Sequence, residues 1–251
     1  MLSFAFPAQI YTVALVFTRV GSIVMLIPGV GEAFVPPRIR LGLALLLSMC
    51  LAPIVQPALA AVPASLGDVG GQLIGELVIG LMLGALMRLM LSALAVTGEV
   101  ISIATTLAFA QTSNPLQAQP GAALSSFLTL LGTTLIFATN MHHMFFAAML
   151  KSYTLFAPGK PIHVGDATTL AIHTMGALFA LGIQLSAPVV VFSLVLQIAT
   201  GLVGRVMPQF QIFFASTPLA VLLGLSIFTL SLGGAMMVWL THYNAFLLPL
   251  T

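Results

Sequence analysis

No charged residue occurs between Val100 and Leu150, and none between Val206 and Thr251. The chain of 251 residues holds seven Lys or Arg and five Asp or Glu, so charged residues are 5% of it and hydrophobic ones 60%. A water-soluble domain carries about 25% charged residues. So few charges cannot cover the surface of a fold surrounded by water. The surroundings must be lipid or other apolar protein. The expectation is an all-α integral membrane protein, or a subunit buried in a membrane-associated assembly.

Apolar residues fall in six blocks, roughly Ala8–Ile27, Leu41–Val55, Leu73–Val96, Leu124–Leu150, Leu170–Ala199 and Phe210–Tyr243. A seventh stretch, Ile101–Ala110, is too short to span, because a helix needs about 20 residues to cross a bilayer core. The second block is also short. The last two are long and hold Pro188 and Pro218, which remove a backbone donor and tend to kink a helix. Uneven, interrupted spans point to helices packed into an assembly. Three Arg (Arg38, Arg40, Arg205) against Lys151 and Lys160 is too slight a bias to orient six spans. Met1–Pro7 lacks the basic start of a cleavable signal, so the first block is expected to be retained. No linker separates soluble domains, and residues 1–251 are expected to form one domain.

Few residues invite chemistry. Cys50 stands alone in an apolar run and reads as a small buried hydrophobe, without a disulfide or thiolate metal site. His142 and His143 are adjacent on a helix and should face different ways, a poor metal site. His-Glu-x-x-His, Gly-x-Ser-x-Gly and phosphate-loop patterns are absent. No cofactor, metal, catalysis or nucleic-acid surface is expected. Arg19, Glu76, Arg88 and Glu99 are the charges within or beside apolar blocks. A charge at bilayer depth costs at least about 2.5–3.5 kcal/mol on insertion scales, so each should find a partner. Structural or intersubunit pairing is the favoured reading, and an ion pathway the other. Glu76 and Arg88 lie too far apart on one helix to pair, so their partners must lie elsewhere. Gly71, Gly75, Gly80 and Gly84 give Gly-x-x-x-Gly spacings, which let helix backbones approach closely. The polar, uncharged stretch from Gln111 to Gly121 is either a surface connection or a re-entrant segment lining a water-filled path.

The order of these features resembles the FliR family of the flagellar type III export apparatus, whose injectisome counterparts are the SctT proteins. The resemblance rests on Arg19, Pro28-x-x-Gly31, and Val35-Pro36-x-Arg38-x-Arg40. It continues through Gly75-Glu76-x-x-x-Gly80-x-x-x-Gly84, Gly98-Glu99, Phe109 to Pro115, and Asn140-x-His142. It ends on Arg205-x-x-Pro208-Gln209-x-x-Ile212-Phe213, with Pro218 and Gly224. It covers nearly the whole chain. It implies a non-enzymatic, pore-forming subunit of an export gate in the bacterial inner membrane, at the flagellar basal body. The implied fold is a set of helical hairpins with kinked helices, a FliP-like first part and a FliQ-like last hairpin. One copy would join FliP-like and FliQ-like subunits, with FlhB-like and FlhA-like export components, lipid and secreted flagellar proteins as further partners. By resemblance Phe109-Ala110-Gln111-Thr112-Ser113-Asn114-Pro115-Leu116-Gln117-Ala118-Gln119 is the pore-plugging loop. Arg205, Pro208 and Gln209 match the turn of the last hairpin. The family usually has an acidic residue near Pro115, and here Asn114 stands there. An SctT-like injectisome subunit and a polytopic secondary transporter are the alternatives.

Overall fold

A computed structural model describes residues 6–58, 63, 65–107, 122–158, 164–207 and 212–250. No strand occurs among the described residues. The α-helices there are α1 Phe6–Leu26, α2 Pro37–Val55, α3 Leu66–Ala104, α4 Ala122–Ala138, α5 His142–Leu155, α6 Val164–Val206 and α7 Ile212–Leu247. Of these, α1, α2, α3, α6 and α7 are long and apolar enough to cross a membrane, and the pair α4–α5, taken as one broken span, makes a sixth. The fold is all-α and of the membrane class, as the charge pattern required.

Local chemistry sets the helix ends and moves several of them from the apolar blocks. α2 starts at Pro37, ahead of Arg38 and Arg40, and so is longer than its apolar block. Pro36 is extended (φ −57°, ψ 137°), as a residue before proline prefers, and Pro37 supplies a preset φ and lacks an N–H at a position where one would have no helical partner. α3 runs unbroken through Thr97-Gly98-Glu99, so Ile101–Ala104 belongs to the long helix instead of forming a separate stretch. A single glycine costs a helix about 1 kcal/mol relative to alanine, too little to end one supported by packing. α6 and α7 likewise continue through Pro188 and Pro218.

The fourth block divides at Asn140, which sits at φ 58°. The Met141 N–H bonds Ile136 O at 3.0 Å, and the Asn140 N–H bonds Phe137 O at 3.2 Å. This pair of bonds is a Schellman stop, with Asn in the left-handed position and buried Ile136 and Met141 at the sites of its usual apolar contact. The His142 and His143 rings open α5 with centroids 4.2 Å apart and planes tilted by 34°. Among the described residues no cluster of three or more His, Cys, Asp or Glu is placed to hold a metal.

The chain divides into two compact units. The first comprises Met1–Met90, Ile136–Met175 and Asn244–Thr251. Its core is a stripe on α1 (Leu15, Val16, Val20, Ile23, Val24) at helical spacing, with Ile79, Leu83 and Met87 of α3 and Phe145, Ala148 and Met149 of α5. α2 buries one narrow stripe, Ala44, Ser48, Ala52 and Val55. Its other faces expose Ile39, Leu41, Leu46, Met49 and Ile54. Cys50 lies off the buried stripe and is exposed, against expectation.

The second unit comprises Leu91–Leu135 and Gly176–Tyr243. Leu94 and Ile101 of α3, Leu128 of α4, Leu181, Leu185 and Val189 of α6, and Phe228, Trp239 and Tyr243 of α7 are buried in it. Gly132 of α4 makes room for this packing, since a Cβ there would meet Leu94 Cδ1 at 2.2 Å. Outward, α6 and α7 present large apolar side chains, among them Val191, Val195, Ile198, Leu222 and Leu230.

Candidate functional site

Arg19 is 0% exposed and Glu76 2% exposed. Arg19 Nε donates to Glu76 Oε2 at 2.5 Å and Nη2 to Oε1 at 3.0 Å, a bidentate pair. Nη1 donates to Ser152 O at 2.9 Å and lies 3.3 Å from Ser152 Oγ, while Nη2 also donates to Phe156 O at 2.9 Å. A guanidinium has five N–H groups, and this set gives each an acceptor. The carbon of the guanidinium lies 4.1 Å from the centre of the Tyr153 ring, a cation–π contact. Two of the acceptors, Ser152 O and Phe156 O, lie where α5 ends, and Ser152 O also accepts the Phe156 N–H at 2.8 Å, so the cation sits at the negative end of that helix. One side chain thereby joins α1, α3 and the end of α5. Tyr11 of α1 adds a second polar tie by donating to Gln72 of α3.

Glu76, Gly80 and Gly84 recur every fourth residue and form one stripe of α3. A Cβ on Gly80 would meet Ser22 Oγ at 1.9 Å and Arg19 O at 2.4 Å, and one on Gly84 would meet Leu26 Cβ at 2.8 Å. α1 therefore lies directly on this stripe, with the ion pair one turn from the first glycine. Gly75 and Gly71 are different: a Cβ there would meet nothing within 4 Å among the described residues. One position on a helix is a rotation of about 100°, which carries Gly75 off the seam.

Arg88 finds Glu32, in the link after α1, at 3.7 Å, with the two side chains 45% and 21% exposed. Pairs this exposed contribute about 0–1 kcal/mol. Arg88→Ala is therefore expected to leave the amount of protein in membranes and its melting temperature in detergent nearly unchanged. A large loss would show that Arg88 has another role.

In the second unit Gly98 brings the backbones of α3 and α4 close together. A Cβ on it would lie 2.5 Å from both N and Cα of Ser125 on α4. Ser125 Oγ lies 2.9 Å from Glu99 Oε1 and 3.0 Å from Ala95 O, while Glu99 itself is exposed. Thr97 Oγ1 reaches Gly182 O on α6 at 3.2 Å, and Gly182 packs against Val96. Arg205 is exposed in the last turn of α6, where a cation complements the helix dipole. Phe109–Gln119, Pro208 and Gln209 lie outside the described residues. Sequence reasoning did not single out Ser152, Tyr153 or Glu32. The first two sit in the polar run Lys151-Ser152-Tyr153-Thr154 that closes the fourth block, a signal that was available.

Long apolar helices, a fully satisfied ion pair inside them and glycine-lined seams define a polytopic helical membrane protein. A family profile described as bacterial export proteins, family 1, matches residues 10–246. The chain is 51% identical to the flagellar biosynthetic protein FliR of Caulobacter vibrioides over 247 residues, 98% of each chain. It is 29% identical to FliR of Escherichia coli over 211 residues, 83% of this chain and 79% of that one. It is 27% identical to FliR of Aquifex aeolicus over 241 residues, 94% and 90% of the two chains. The chain belongs to this export family, as a member of the FliR proteins of flagellum biosynthesis.

Proposed function

We propose that the chain is a structural, pore-forming subunit of the flagellar type III export gate in the bacterial inner membrane. In this reading one copy assembles with FliP-like and FliQ-like subunits, engages FlhB-like and FlhA-like components, and passes unfolded flagellar proteins without catalysing a reaction. The observation that carries it, beside the family, is the uncovered apolar surface. In the apolar 18-residue cores of the Ser216–Leu250 and Pro37–Val55 spans only 17% and 22% of the residues are buried within the chain. Exposed apolar patches of this extent mark membrane or subunit contacts. Copurification from native membranes, with mass and stoichiometry, tests the reading. Absence from the finished complex overturns it.

The segment from Phe109 to Gln119 is proposed as the plug of the conduit. Its polar, uncharged composition supports that role, since such residues tolerate a wetted path. Shortening Gln111–Gly121 is expected to make cells leak ions or small molecules while the complex still assembles. An intact barrier in that deletion rejects the plug. Both oxygens of Glu76 are held by Arg19, which argues against that carboxylate as a carrier site of a secondary transporter. Flagellar relatives favour a flagellar over an injectisome origin.

A further inference from the structure

A half-open cleft of about 250 Å³ lies within the second unit, at the C-terminal end of α3. Thr105 and Thr106, Ser193, Gln197 and Thr200 of α6, and Ser216 and Thr217 of α7 provide its polar lining, and none of its described lining residues is charged. Several of the hydroxyl protons are already committed. Thr105 Oγ1 donates to Ile101 O at 2.8 Å, Ser193 Oγ to Val190 O at 2.8 Å, and Thr200 Oγ1 to Gln197 O at 3.0 Å. A hydroxyl has one proton and two lone pairs, so each of these keeps acceptor capacity once its proton is used. The C-terminal end of α3 adds the negative pole of the helix.

Two further observations mark the same spot. Thr106 holds φ 58°, a conformation unfavourable for a β-branched residue. Its Oγ1 is buried and has no hydrogen-bond partner among the described residues. The wall is also held in place, since a Cβ on Gly224 of α7 would meet Thr105 Cγ2 at 2.4 Å.

A cleft rich in acceptors and free of charge suits a ligand that brings neutral donors. The volume exceeds what one bare monovalent cation fills, and no carboxylate among the described lining residues balances an ionic charge. An extended polypeptide brings an N–H group at nearly every residue whatever its sequence. Phe192 and Leu196 in the lining offer its side chains apolar contact. We propose that this cleft accepts main-chain N–H groups of the exported, unfolded polypeptide. The proposal rests on the export reading above and names the ligand class of one site within it.

The test uses the assembled complex in cells. A photo-crosslinking residue replaces Gln197, and an export substrate fused to a tightly folded domain is stalled in transit. An adduct with the substrate is expected at Gln197, with none from the same probe at Leu230, which is 86% exposed on α7. An adduct with a membrane subunit alone, or none, while the unmodified chain restores flagellin secretion, overturns the cleft and spares the export reading. Failure of the unmodified chain to restore secretion overturns both. As a second measurement, Thr200→Val and Ser193→Ala remove acceptors with little change of shape. Each is expected to slow secretion roughly fivefold, the factor for one ordinary hydrogen bond, with complex levels unchanged. Unaltered secretion, or a defect that follows sodium or potassium concentration instead of the substrate, overturns the assignment.

Discussion

Glu76→Ala is expected to remove most of the protein from the membrane fraction. The substitution leaves the Arg19 guanidinium buried, with two of its hydrogen bonds gone and no counter-charge. Breaking a buried pair from one side costs about 3–5 kcal/mol, against total stabilities of about 5–15 kcal/mol. Arg19→Ala is expected to do similar harm, because it strands the carboxylate and also empties the space under Tyr153. The paired change Arg19→Met with Glu76→Leu separates the charge from the fold. Apolar residues of similar volume can replace a buried pair at little cost, so the double variant should recover part of the lost protein. The measurement is the amount of chain in membranes, with flagellin secretion as a second readout. Normal accumulation of Glu76→Ala would mean that the pair does not hold α1, α3 and α5 together.

Gly98→Ala is expected to be the most damaging single-methyl addition in the second unit. The added carbon would sit 2.5 Å from backbone atoms of Ser125, and backbone cannot rotate aside as a side-chain tip can. Overpacking of this kind costs about 1–3 kcal/mol or more and displaces α4 from α3. Gly75→Ala provides the contrast, because its Cβ meets nothing within 4 Å among the described residues. Within the chain it should be neutral, or stabilising by up to about 1 kcal/mol through better helix propensity. Protease resistance of the two variants in membranes would rank them. Equal behaviour would remove close packing as the reason for glycine at position 98.

The class of the fold was legible because it follows from composition: helices were the available answer once charges became so rare. Helix boundaries were less legible where apolarity and helicity part company. Arg38 and Arg40 lie inside α2, yet a hydrophobic block excludes them. Asn140 ends α4 through its left-handed backbone, and the apolar runs further out on either side hide the break. The need for a partner at Arg19 and Glu76 could be read from the cost of burying charge. That they satisfy each other across 57 positions of sequence could not, since this depends on how the helices meet. Similarly, four glycines looked alike in the sequence, and only Gly80 and Gly84 fall on the stripe that faces α1.

The bare flanks of α2 and α7 bear on how cells handle the newly made molecule. In the proposed assembly, a copy made ahead of its partner subunits would display these greasy helices uncovered, as targets for membrane proteases. Surplus copies would be degraded rather than stored, so the steady level of this chain would follow its scarcest companion instead of its own gene dosage.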